Sequence, residues 1–168
     1  MDGEKRRFLD FIRRVCPAAD ATSVVLFGQL MHANNQLEQA AERNLGGAGL
    51  TWAKFRLLMS LFRGEQHGVT VGMQPSELSD MQGVSRNTVS SLIATLEKDG
   101  LITRELHGTD RRRFVIHLTS EGRKLMKTNM ANQFKFLTEC FTGFTASERQ
   151  TFLDFLARLN QALADKSK

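Results

Sequence analysis

The chain has 168 residues, of which 41% are hydrophobic and 24% charged, and its formal net charge is +5. That is an ordinary globular composition with enough apolar material for a core, and no apolar run approaches the roughly 18–20 residues of a membrane span. The first residues mix acids with bases and no uninterrupted apolar stretch follows, so they do not read as a signal peptide.

In chain order, Phe8, Phe11, Ile12 and Val15 have helical spacing, and Pro17 ends or bends that element. A second helix is expected from about Ala21 to Arg43, followed by a glycine-rich connector over 44–49. Thr51 is placed to cap a third helix, with Phe55, Leu58, Met59 and Phe62 on its buried face and Gly64 as its stop. Residues 65–72 read as a loop. Pro75 opens a short helix to Met81, with Leu78 and Met81 facing inward. After Gly83, Ser85 caps a longer helix whose Val89, Leu92, Ile93 and Leu96 claim the core, and Gly100 terminates it. A short helix, a glycine turn and a longer capped helix make a helix-turn-helix.

A hairpin follows, with strands expected at 101–106 and 114–118 and a loop at 107–112 between them. In the second strand, Phe114, Ile116 and Leu118 alternate with Val115 and His117, as in a half-buried strand. Thr119 opens a long helix to about Phe141, carrying Leu125, Phe134, Leu137 and Cys140. Thr145-Ala146-Ser147-Glu148 reads as a capping box for a last helix, with a polar, disordered tail from Asp165. The expected fold is mainly α with a small β-hairpin wing: a winged helix-turn-helix with N- and C-terminal dimerisation helices. Residues 1–50 and 121–168 are assigned to dimerisation and 51–120 to the winged lobe.

The chemistry concentrates in 83–122. With one face of the Ser85–Lys98 helix committed to the core, Arg86, Asn87, Ser90 and Ser91, with Thr88 close by, are left outside, and no carboxylate is among them. Arginine reads guanine, asparagine reads adenine, and hydroxyls bond bases or phosphates, so the surface suits a DNA major groove. Glu97 and Asp99 come only where the helix should be leaving the groove. Arg104 and the run Arg111-Arg112-Arg113 make the hairpin a positive tip suited to a narrow minor groove. Arg113 also reads as simply opening the strand and facing solvent or phosphate. Asp110 is expected to pair with Arg112 and hold it extended, a bidentate role that suits a guanidinium.

The segment GVSRNTVSSLIATLEKDGLI followed by DRRRFVIHLTSEG resembles the recognition helix, wing and following helix of the MarR (multiple-antibiotic-resistance regulator) family. Thr51–Leu58 and Pro75–Ser79 resemble the two helices that precede them in that family. The resemblance runs over about residues 20–165. It implies an obligate homodimer that reads a pseudo-palindromic operator in double-stranded DNA. It also implies that Asp110 and Arg112 are the wing-tip acid and the minor-groove arginine. The function expected is a transcriptional repressor of the MarR type released by a small-molecule effector. A small aromatic or phenolic ligand would lodge in a crevice lined by Met31, His32 and Trp52, residues that ordinary core packing also explains.

Cys16 and Cys140 are far apart and fit no disulfide or metal framework, so the thiols are expected to be buried or inert and the location cytoplasmic. One branch of the family senses oxidants through an N-terminal cysteine among tyrosines. This chain has no tyrosine and Cys16 precedes Pro17, so oxidant sensing through Cys16 stands as an alternative. A winged-helix module that binds an acidic protein partner is another. His32, His67, His107 and His117 lack ligand spacing. No cofactor, metal site or catalytic residue is expected.

Overall fold

The structure is a computed structural model that describes residues 2–46, 49–68, 72–107 and 110–166; the side chains of 2, 4, 5, 107 and 110–113 lie outside that description. The described residues form seven helices and one hairpin: α1 Asp2–Val15, α2 Ala21–Leu45, α3 Trp52–Gln66, α4 Pro75–Gln82, α5 Arg86–Lys98, β1 Ile102–His107, β2 Asp110–Leu118, α6 Ser120–Glu139 and α7 Ala146–Lys166. This is the mainly helical, winged architecture expected. The chain divides into two units, residues 1–43 and 44–168.

In the first unit α1 stops ahead of Pro17, and the Asp20 carboxylate accepts from the N–H groups of Thr22 and Ser23, both at 3.1 Å, where α2 begins. These bonds satisfy donors that a helix start leaves orphaned. Phe8, Phe11 and Val15 on α1 are exposed, as are Val24, Leu26, Phe27 and Met31 on α2.

In the second unit the core gathers one face from each of α3 to α6 and from the hairpin: Phe55, Leu57, Leu58, Leu78, Val89, Ile93, Leu96, Ile102, Ile116, Leu118 and Met126 are all buried. Thr51 caps α3 by accepting from Lys54 N, as its position predicted. Gly64 does not end that helix, which continues to Gln66. A helical glycine costs about 1 kcal/mol, and the continuation through Glu65 places that carboxylate for a two-pronged pair with Arg123 of α6, both contacts at 2.8 Å.

Two inward assignments fail. Met81 is 42% exposed, because α4 buries the face of Leu78, Ser79 and Gln82 and so leaves Met81 at its margin. Phe114 is exposed and Val115 buried, although the alternation placed Phe114 inside. Phe114 pairs with Leu106 where the hairpin has left the core, whereas Ile116 also bonds Met73, which adds a short third rung beside β2. The strand itself begins at Asp110 rather than Phe114. Residues 110–113 have no apolar member, so hydrophobic period gives no signal there, and the pairing of His107 with Asp110 extends the ladder.

The capping box is present: Thr145 N donates to Glu148 Oε2 at 2.8 Å and Glu148 N donates to Thr145 Oγ1 at 3.2 Å. The final helix runs on through Asp165 and Lys166, where a disordered tail was expected, and Gln161 Nε2 donates to Asp165 at 3.0 Å. No described residue of α7 is buried. No helix among the described residues is long and apolar enough to cross a membrane. Both thiols, expected to be buried or inert, are exposed, so the burial half of that expectation fails.

Candidate nucleic-acid interface

The turn between α4 and α5 is built to hold α5 outward. Gly83 ends α4 with φ +65°, a left-handed conformation that glycine adopts without penalty. The buried Ser79 hydroxyl donates to Val84 O at 2.7 Å, and Arg56 Nη2 donates to Gln82 O at 3.1 Å. Ser85 then caps α5, its hydroxyl accepting from Thr88 N at 3.1 Å and lying 2.8 Å from Thr88 Oγ1. Val89, Ile93 and Leu96 anchor the inner face.

Arg86, Asn87, Thr88, Ser90 and Ser91 are exposed on this helix, as the sequence placed them. The side chains of Arg86, Asn87, Ser90 and Ser91 have no hydrogen-bond partner among the described residues. They retain the donors and acceptors that base edges or phosphates need. The two acids at the far end are already engaged. Glu97 accepts from Arg104 Nε at 2.8 Å and Asp99 from Lys54 Nζ at 2.8 Å. Their charge is therefore offset where it would otherwise repel a polyanion.

The hairpin is fixed to the same helix. Leu101 N donates to Leu96 O at 2.9 Å, and Thr119 Oγ1 donates to Gly100 O at 2.7 Å. Arg104 lies on β1 opposite Ile116. The backbone of Asp110, Arg111, Arg112 and Arg113 forms the start of β2, while their side chains, and with them the expected Asp110–Arg112 pair, lie outside the described residues.

Sequence reading missed two members of this surface. Leu92, assigned to the core, is only half-buried, and with Thr95 it lines the same outer concavity as Asn87, Thr88 and Ser91. The signal was available: Thr95 follows Ser91 by four residues and Thr88 by seven, one face of a helix. Of the expected effector residues, Met31 and His32 are exposed in the first unit, where His32 Nε2 lies 2.8 Å from Gln36 Nε2. Trp52 belongs to the second unit, half-buried and stacked on Phe55 with ring centroids 5.7 Å apart. No group of three potential metal ligands occurs among the described residues.

A family model described as "MarR family" matches residues 48–113, the stretch from the start of α3 to the beginning of β2. The transcriptional repressor YetL of Bacillus subtilis is 28% identical over 145 residues, covering 86% of this chain and 84% of YetL. The crystal structure of the Staphylococcus aureus MepR–DNA complex superposes with a TM-score of 0.71 at 22% identity, over 83% of this chain and 96% of MepR. CouR of Rhodococcus jostii RHA1, crystallised with p-coumaroyl-CoA, superposes with a TM-score of 0.70 at 22% identity, over 84% of this chain and 95% of CouR. With its capped helix-turn-helix, its paired wing and a likeness that runs along most of its length, the chain is similar to winged-helix transcriptional regulators of the MarR family.

Proposed function

We propose that the protein is a homodimeric repressor that binds a pseudo-palindromic operator in double-stranded DNA. The observation that carries this reading is the outer face of α5. Its side chains keep their hydrogen-bonding capacity while both nearby carboxylates, Glu97 and Asp99, are held by cations. Ser85, Arg86, Asn87, Thr88, Ser90 and Ser91 meet the major groove, with Arg104 approaching the backbone. Asp110, Arg111, Arg112 and Arg113 form the wing contact in the flanking minor groove. Two copies place their α5 helices about one helical turn, roughly 34 Å, apart. The exposed apolar residues of α1 and of α7 each supply a surface for a second copy to cover. The relative YetL is named a repressor, which supports repression by promoter occupancy in the cytoplasm.

MepR was crystallised on DNA and CouR with p-coumaroyl-CoA. These support a duplex as partner and an aromatic or phenolic small molecule as the effector that releases it. Substitution of Met31, His32 or Trp52 would then blunt the effector response without abolishing DNA binding.

The test is selection from a random duplex pool by the purified protein, followed by titration of the selected sequence against salt. A palindrome with half-sites about 10 base pairs apart, and affinity falling steeply with salt, is the expected result. Equal affinity for every duplex would overturn the reading in favour of a basic module that binds an acidic protein. Within the selected site, Arg112→Ala should cost more affinity with A·T-rich than with G·C-rich flanks; equal losses would remove its minor-groove role.

A further inference from the structure

Asn87, Thr88, Ser91, Leu92 and Thr95 line an open concavity of about 460 Å³ on the outside of α5. Its chemistry is less polar than its residue names imply. Thr95 Oγ1 donates to Ser91 O at 2.9 Å, so its proton is committed to the helix's own backbone. Thr88 Oγ1 lies 2.8 Å from Ser85 Oγ, the capping hydroxyl. Leu92 packs against the core cluster while remaining half-buried at this surface. Only Asn87 and Ser91 therefore bring side-chain hydrogen-bonding groups without a partner among the described residues. What Thr88, Leu92 and Thr95 add is methyl surface.

In the major groove only thymine presents an apolar group, its C5-methyl. A cytosine amine or a purine N7 set against Leu92 would lose its water without gaining a partner, which costs binding. We infer that Leu92, flanked by the methyls of Thr88 and Thr95, receives the C5-methyl of one thymine in each half-site and makes that thymine a determinant of operator choice. This rests on the DNA-reading function proposed above and names the base feature at the centre of it.

The test changes the DNA first, which leaves the protein fold untouched. In the selected operator each thymine is replaced singly by deoxyuridine, which removes only the methyl, and affinity is read by fluorescence anisotropy. One position per half-site should weaken binding about fourfold, and both together about fifteenfold, the scale for burying one methyl group per half-site. The double variant Thr88→Ser, Thr95→Ser keeps both hydroxyls and deletes both methyls, and in it the deoxyuridine penalty at that position should shrink. A thermal melt of the variant checks its folding.

Sequence-selective binding with no deoxyuridine penalty, or half-sites without thymine, overturns the inference while the DNA-reading function stands. A penalty of unchanged size in the folded double-serine variant overturns the assignment to these residues. Absence of any sequence preference overturns the underlying function, and this inference with it.

Discussion

Arg104 Nε lies 2.8 Å from Glu97 Oε2, a contact that joins β1 of the wing to the last turn of α5. The pair is partly exposed, with 35% and 41% of the two side chains accessible, so it adds no more than about 1 kcal/mol to stability. Its larger consequence is for a polyanionic ligand, because Glu97 holds a cation that would otherwise be free to reach a phosphate. Glu97→Gln should therefore strengthen operator binding and steepen the salt dependence by about one charge, with a change in stability under about 1 kcal/mol. Anisotropy titrations at several salt concentrations measure both. An unchanged slope would mean that Arg104 serves the wing's attachment and not the DNA.

The start of α6 approaches the hairpin so closely that Gly122 leaves no room for a side chain. A β-carbon there would collide with Leu101 O. That carbonyl cannot retreat cheaply, since it accepts from Thr119 N at 3.1 Å while Leu101 N donates to Leu96 O at 2.9 Å. Gly122→Ala should destabilise the protein by about 1–3 kcal/mol, read as a lower denaturant midpoint. DNA affinity should fall with it, because the displaced strand carries Arg104. A midpoint equal to that of the wild type would show that this junction yields.

The order of elements was legible because each one is punctuated by its own chemistry. Thr51, Ser85 and Thr119 are caps in the structure as they are in the sequence. The outward face of α5 followed from helical period once the inward face was assigned. The failures lay where a local pattern did not decide which residues would be covered. Gly64 stays helical with Arg123 nearly sixty residues on. Phe114 is exposed opposite Leu106 and Val115 is buried, which the alternation alone could not tell. Leu92 looked like core because its spacing is a core spacing, and only the packing shows how much of it remains outside.

The box that opens α7 links helix integrity to acid. The Thr145 N–H, and then the Thr145 hydroxyl, donate to the Glu148 carboxylate and hold its pKa below the ordinary value. A depressed carboxyl pKa contributes stability that is fully present above the unfolded value, about 4.3, and is lost as pH falls through the lower folded one. Glu148→Gln should thus loosen the first turn of α7 at pH 7, and the difference should vanish once the pH has fallen through the lowered pKa of the folded state. Hydrogen exchange of the α7 amides, comparing variant with wild type at each pH, reads this directly. A variant that matched the wild type at pH 7 would show that the carboxylate's charge adds nothing to the box, since a glutamine oxygen also accepts from Thr145 N. Thr145→Ala, which deletes the reciprocal acceptor, should cost about 0.5–2 kcal/mol of helix stability.

The last helix carries Phe152, Phe155, Leu159 and Leu163 at spacings of three, four and four residues, and they are 42%, 57%, 41% and 53% exposed in the single chain. A 21-residue helix with no buried residue has no core of its own to hold it, and most helical stability in proteins comes from packing an apolar face against something. Its stability should come from a second copy. Phe155→Glu puts a charge at the centre of that face, where burial would leave it unpaired. The variant should sediment as a monomer at concentrations where the wild type is a dimer. Its helix-turn-helix, with a core built from α3 to α6 and the hairpin, should keep its fold. Operator affinity should drop by at least about 100-fold, because two half-sites bound by separate chains lose the effective concentration that linkage provides. A half-site duplex should be bound equally by variant and wild type. A variant that remained dimeric would place the interface elsewhere, and a monomer with full operator affinity would remove the need for paired recognition helices.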